Sequence, residues 1–278
     1  MSTLPKLDTP EFDYGSVWEH TQPPHPDFTY GRKVEATPDG KIWVEEGERA
    51  GFKVVDTSKE DSMKLYQLMI SGIVPRPVAF VSSVSESGVE NLAPFSWFNM
   101  VTHNPPVVSV SVANVAGKPK DTAANVKATM GFTVNIMSEP FIENANACSA
   151  DLPSDLSEWP MSGLTKAESI LVKAPRVKES AFSMECELYE AIDIKRPDTG
   201  ASTTTLLLGL VKYIHVRNDM LNERGNVDPS KYKVIGRMGD ITYTRVQEGF
   251  RLARPAWSKD EELQNLYKES EVQAKNNL

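Results

Sequence analysis

The chain has 278 residues and a formal net charge of −8, long enough to bury one large or two small cores. The acidic balance argues against general nucleic-acid binding, which needs a basic stripe, but it leaves room for a small anion held by a local cluster of donors. Cys148 and Cys186 lie far apart with no CxxC spacing, so they suggest neither a zinc site nor a disulfide framework and suit a reducing compartment. No apolar run approaches the roughly 18 residues of a membrane span. The opening "MSTLPKLDTPEF" lacks the basic-then-apolar order of a secretory leader, so a cytoplasmic location is expected.

Residues 1–50 read as an extension around a core. Pro5, Pro10, Pro23, Pro24 and Pro26 exclude long helices there and hold their predecessors extended. Phe12, Tyr14, Trp18, Phe28, Tyr30 and Trp43 make the segment too aromatic for a disordered tail. Irregular backbone draped over the globule is expected, with reach to a neighbouring subunit. His20 and His25 lack a third candidate ligand nearby and read as surface residues; no metal site is expected.

A helix follows at Asp61–Ile70, with Ser58 or Asp61 as N-cap, Leu65, Leu68 and Met69 as its apolar stripe, and Gly72 as its stop. "PRPVAFVSS" places a strand at Val78–Val84, and "SESGVEN" reads as a hairpin turn at Gly88. Asn91–Met100 is expected to be one bulged strand, broken at Pro94. Val107–Ala113 alternates, with Val108, Val110 and Val112 on one face and Ser109 and Ser111 on the other. Lys118 and Lys120 then precede Asp121 and Thr122, residues suited to cap a helix over Thr122–Met130. Cations beside a helix N-terminus, where unpaired N–H groups point outward, suit a phosphate.

Gly131 ends that helix, and Phe132, Val134 and Ile136 start another alternating strand. Pro140–Ala150 suits a helix. Leu152–Ala167, with two prolines and a glycine, reads as a long loop able to cover a site. Met184–Ile194 and Thr203–Val216 are the last long strands, Gly209 marking a bend or the close approach of another backbone. Residues 259–272 form a charged helix with Leu263, Leu266 and Tyr267 on one side. Short strands, turns and few helices point to a barrel of antiparallel strands and not a βαβ array. Neither a GxGxxG nor a GxxxxGK[ST] motif occurs.

The ordered set "SGIVPRPVAFVSSVSESGVENLAPFSWFNMVTHNPPVVSVSV", "GKPKDTAANV", "GFTVNI", "LLLGLVKYIHV" and "VIGRMGDITYTR" strongly resembles the flavin reductase-like family, related to flavoredoxins, over roughly residues 63–245. The resemblance implies a mainly β fold with peripheral helices, a six-stranded antiparallel split barrel of Greek-key type. That domain would span residues 61–250, between an N-terminal extension (1–60) packed on the core and a helical extension (251–278). It implies a homodimer with FMN near the subunit boundary. By position, Asn91, Leu92, Ala93, Pro94 and Ser96 would face the flavin ring, and Ser83 the ring or ribityl chain. Ser111, Lys118, Lys120, Asp121 and Thr122 would lie near the phosphate, with Arg76 close to the phosphate or the ring. Lys120 matches the family's Lys-Asp-Thr lysine. His215 falls where related reductases place a histidine near the nicotinamide. Arg237, Gly239 and Tyr243 match a late R-x-G-x-x-x-Y feature, for which a structural role is expected.

Hydride transfer from a nicotinamide to flavin N5 needs contact at roughly 3–3.5 Å and little acid–base help. Donors near the ring's polar edge favour the reduced, anionic flavin. The expected activity is therefore reduction of FMN by NADH or NADPH, with electrons passed to free flavin, oxygen or a partner monooxygenase. The rival expectations are an electron carrier that does not use nicotinamide, and a flavin-binding dimeric module without catalysis. Each residue also has a plain use: Ser109 and Ser111 as solvent-facing hydroxyls, Lys118 and Lys120 as a solvated loop, Asn91 as a turn amide, and Tyr30, Trp97 and Trp159 as packing rings.

Overall fold

The computed structural model describes residues 9–15, 17–115 and 117–276; Pro5 lies outside them. Contacts divide the chain into two units. One is Met63–Gln247 with the segment up to Trp18, and the other joins Glu19–Ser62 to the chain from Glu248 onward.

Among the described residues, five helices exceed four residues: α1 (Pro38–Ala50), α2 (Ser62–Gly72), α3 (Asp121–Thr129), α4 (Ile142–Ala147) and α5 (Glu261–Asn276). The proline argument against helices in residues 1–50 fails at α1. Pro38 sits in the first turn, where its missing N–H has no helical acceptor to lose, and Thr37 Oγ1 accepts the N–H of Gly40 at 3.2 Å. The expected helix at Pro140–Ala150 is shorter than foreseen, a 3₁₀ turn at Glu139–Phe141 leading into α4.

Seven strands among the described residues form the main sheet: β1 (Ala79–Val84), β2 (Glu90–Phe95), β3 (Phe98–His103), β4 (Pro106–Ala113), β5 (Gly131–Ile136), β6 (Phe182–Lys195) and β7 (Ser202–Val216). Their order is β2-β1-β5-β6-β7-β4-β3, every neighbour antiparallel. A short antiparallel pair, β8 (Ile235–Arg237) and β9 (Tyr243–Arg245), lies beside it in sequence.

The expected single strand Asn91–Met100 is two strands. β2 pairs with β1 at one edge of the sheet, and β3 pairs with β4 at the other. Only Ser96 and Trp97 separate them, a link of three Cα steps and at most about 11 Å. A flat seven-stranded sheet spans about 29 Å at ~4.8 Å per strand, so the sheet must be rolled until its edges meet. Trp97 O accepts the N–H of Ser111 at 2.9 Å at that point. The result is a mainly β fold with peripheral helices, as expected, built on a rolled sheet of seven strands where six were expected, its edge strands not paired with each other.

Alternation sets the two cores. Ala79 and Val81 of β1 join Val108, Val110, Val112, Phe132, Val134 and Leu207 inside the roll. Phe80 and Leu92 point the other way, onto Met137, Phe141, Trp159 and Val177. Burial of each such side chain stabilises by roughly 1.5–3 kcal/mol. With both faces of β1 covered, β2 and the start of α3 are held on a firm support.

Candidate functional site

Three segments of the first unit converge on a cleft of about 290 Å³. β2 contributes Asn91, Ala93, Pro94 and Phe95, the start of α3 contributes Lys120, Asp121 and Thr122, and the stretch from Cys148 to Leu152, with Ser154 and Glu158, supplies the remaining wall. Asn91 and Thr122 are both buried, and Asn91 Nδ2 donates to Thr122 Oγ1 at 2.8 Å. Asn91 is thus a strand residue that fixes α3 to the sheet, and not a turn amide.

The N-cap of α3 is Lys120, in extended conformation and without a side-chain cap. The expected capping by Asp121 or Thr122 does not occur, because the helix already begins at Asp121 and both residues lie within its first turn, where Thr122 Oγ1 accepts from Asn91. Ala124 N–H is the first to reach a helical acceptor, Lys120 O at 3.0 Å. The N–H groups before it therefore lack helical acceptors, and the helix dipole adds positive potential there.

Charges around the cleft are mixed: Lys120 against Asp121, Asp151 and Glu158. Glu158 is only 5 % exposed, and its Oε2 accepts the N–H of Leu92 at 2.9 Å. Burial holds its carboxyl above the usual range, and the charge of Asp121 adds to the shift against the opposing backbone hydrogen bonds. Burial likewise pushes the Cys148 thiol up to about 12, so it is not a thiolate at neutral pH.

A second cavity adjoins this cleft and shares Pro94 and Ser149 with it. Arg76, Ser96, Trp97, Arg237 and Tyr243 are among its lining residues. Of the residues expected at a flavin site, Asn91, Ala93, Pro94, Lys120, Asp121 and Thr122 share the first cleft, and Arg76 and Ser96 face the second. The others lie elsewhere. Ser83 is buried beneath α3 and accepts from Asn125 Nδ2 at 3.2 Å, while Leu92 packs in the core. Ser111 is half-buried on β4, and Lys118 is exposed in a turn bonded to Val115.

His215 lines neither cavity. Its Nε2 lies 2.7 Å from Oε1 of the fully buried Glu185, whose carboxylate also accepts the N–H groups of Ile170, Leu171 and Val172. Burial pushes the Glu185 carboxyl up, but these four donors outweigh it and hold it below the usual range. The wall at 148–154 and Glu158 were not among the expected site residues. The reading of Leu152–Ala167 as a covering loop reaches Leu152, Ser154 and Glu158, and no sequence signal points to Cys148–Asp151.

The family model described as a flavin reductase like domain matches residues 71–236. The chain belongs to the flavin reductase-like family. Among solved structures, it is similar to nitrilotriacetate monooxygenase component B from Bacillus cereus, with 36% identity, a TM-score of 0.70, and coverage of 73% of this chain and 99% of that one. It is also similar to 2-nitrobenzoate 2-nitroreductase NbaA from Pseudomonas fluorescens, with 27% identity, a TM-score of 0.65, and coverage of 74% and 98%. A protein assigned as a split-barrel flavin reductase from Shewanella frigidimarina shares the fold, with 22% identity, a TM-score of 0.61, and coverage of 74% and 99%.

Proposed function

We propose that the chain binds FMN in the cleft between β2 and α3 and is an oxidoreductase using NADH or NADPH. The observation that carries this reading is the start of α3. An uncapped helix N-terminus and Lys120 line a cleft whose β2 wall includes the small residues Ala93 and Pro94, which leave room for a flat ring. Those donors suit a phosphate, and the carboxylates of Asp121 and Asp151 suit ribityl hydroxyls or a ring N–H. The donor set thus fits a flavin mononucleotide.

Bound FMN would supply the hydride-accepting ring. The chain's own contribution is to position it: Asn91, bonded to Thr122, fixes the strand wall to α3, and Glu158, accepting the Leu92 N–H, ties the opposite wall to β2. No residue need move a proton for hydride transfer. His215 is assigned to holding the 170–172 segment through Glu185, and not to the nicotinamide.

At about 290 Å³ the cleft is at the small end for a cofactor, which supports completion of the site by a second copy. Met100 and Val101 on β3 and Tyr213 and Ile214 on β7 are exposed apolar side chains suited to such a homodimer. The similarity to a monooxygenase component B supports electron delivery to a partner monooxygenase, and that to a nitroreductase supports the wider oxidoreductase class.

The test is to titrate the purified chain with FMN and then add NADH or NADPH without oxygen. Saturable binding followed by bleaching of the visible flavin band is expected. Binding without bleaching would leave an electron carrier, and no binding would sink the proposal.

A further inference from the structure

Arg76 and Arg237 face each other across an isolated antiparallel bridge, Arg76 N–H donating to Arg237 O at 2.9 Å and Arg237 N–H to Arg76 O at 2.8 Å. Like charges opposed in this way repel. Arg76 is 8 % exposed, and burial together with the Arg237 charge lowers its pKa. No carboxylate among the described residues lies within ion-pair distance of either guanidinium. Two close cations, one of them buried and neither in an ion pair, are a costly arrangement in a folded chain.

Hydrogen bonds account for part of it. Arg76 donates to the carbonyls of Ile70, Ile73 and Met238 and to Ser96 Oγ, closing the carbonyl end of α2. Arg237 donates to the carbonyls of Asp240 and Ile241 and lies over the Tyr243 ring at 4.4 Å. These carbonyls satisfy N–H groups but do not neutralise two positive charges. Arg237 Nε–H has no acceptor among the described residues.

Both arginines line the second cavity, of about 160 Å³, with Tyr66 and Trp97 on its wall. Those rings are 6.3 Å apart and tilted by 56°, and they add aromatic surface to the cavity that the arginines line. Asp240 is the carboxylate on this cavity. The volume suits one ring and is well below that of a dinucleotide. We propose that this cavity is a binding site for a monocyclic aromatic carboxylate, its anionic group held at Arg237 in the field of Arg76 and its ring against Tyr66 and Trp97.

This site adjoins the proposed flavin cleft and shares Pro94 and Ser149 with it, so the test uses flavin-free protein. Benzoate binding is followed by ligand-observed NMR and calorimetry on the full chain. Saturable binding is expected, weakened at least tenfold in Arg237→Gln and several-fold in Tyr66→Ala. Because the Arg237 variant also loosens the 237–243 turn, Asp240→Asn is the decisive companion. Asp240 has φ +55°, which asparagine tolerates well, and removing its charge should tighten benzoate binding several-fold. Absence of benzoate binding to the native chain would overturn the proposal, as would affinities unchanged in Arg237→Gln and Asp240→Asn. Inorganic phosphate binding more tightly than benzoate, with FMN displacing benzoate competitively, would overturn it too, by giving the arginine pair to the cofactor phosphate. Failure to bind FMN alone would count against the flavin proposal and leave this one standing.

Discussion

Asn91 Nδ2 donates to Thr122 Oγ1 at 2.8 Å, so one buried hydrogen bond ties an edge strand of the rolled sheet to the first turn of α3. The two residues are 31 positions apart, and each lines the cleft. Removing the amide leaves the Thr122 hydroxyl buried with one partner fewer. Asn91→Ala is expected to cost about 1–3 kcal/mol of stability and to weaken FMN binding by loosening the cleft wall. Urea denaturation and FMN titration check both. Unchanged FMN affinity in a destabilised protein would confine Asn91 to a structural role.

Lys120 is exposed at the N-cap of α3, with no ion pair among the described residues. Its loss should leave the fold intact. If its ammonium meets the FMN phosphate, Lys120→Ala should weaken binding by about 1.5–3 kcal/mol, and the deficit should shrink as salt rises. Lys118→Ala is the comparison: Lys118 lies in the preceding turn, outside the cleft lining, and should change affinity far less. Equal effects of the two substitutions would remove Lys120 from the site.

How far the residues announce this arrangement depends on how local the cause is. Val108, Val110 and Val112 declare a buried strand face by alternation alone, and the structure buries all three. Lys120 to Thr122 beside Gly117 and Pro119 mark a helix start within a few positions. The break at Ser96–Trp97 is not legible, because nothing in "NLAPFSWFNM" says that its halves pair with opposite edges of the sheet. The cleft wall at 148–154 and Glu158 is brought to β2 by packing of the second core, a non-local cause. His215 illustrates the same limit. Its strand position is foreseeable, but its partner Glu185 is 30 residues away on the neighbouring strand.

Glu158 offers a test by pH. Burial favours its neutral form in the fold, so its folded pKa stands above the ordinary value of 4.5. Such a group binds more protons folded than unfolded. Its stabilising contribution is whole below that ordinary value and is lost as pH rises through the raised one. Glu158→Gln keeps an oxygen to accept the Leu92 N–H but cannot ionise. The urea midpoint of the native chain should therefore fall relative to the variant as pH climbs above about 4.5. Parallel pH profiles for the two proteins would show that Glu158 titrates normally.

Gly209 sits in the middle of β7, a position whose missing side chain signals the close approach of another group. That group is not backbone: a Cβ built at Gly209 would lie 2.5 Å from Cζ of Phe132 and 3.1 Å from Cβ of Cys186. Phe132 is fully buried among Val108, Val134 and Leu207, so its ring has no free space to swing into. The strand also shifts register against β6 between Leu208 and Gly209, which brings the backbone over the ring. Gly209→Ala should therefore overpack the roll and destabilise by about 1–3 kcal/mol, read as a lowered urea midpoint with an unchanged slope. Pairing it with Phe132→Leu, which frees the space, should recover part of the loss, so that the double variant is less unstable than the sum of the singles. Strict additivity would mean that the glycine is required by the backbone bend itself and not by the ring above it.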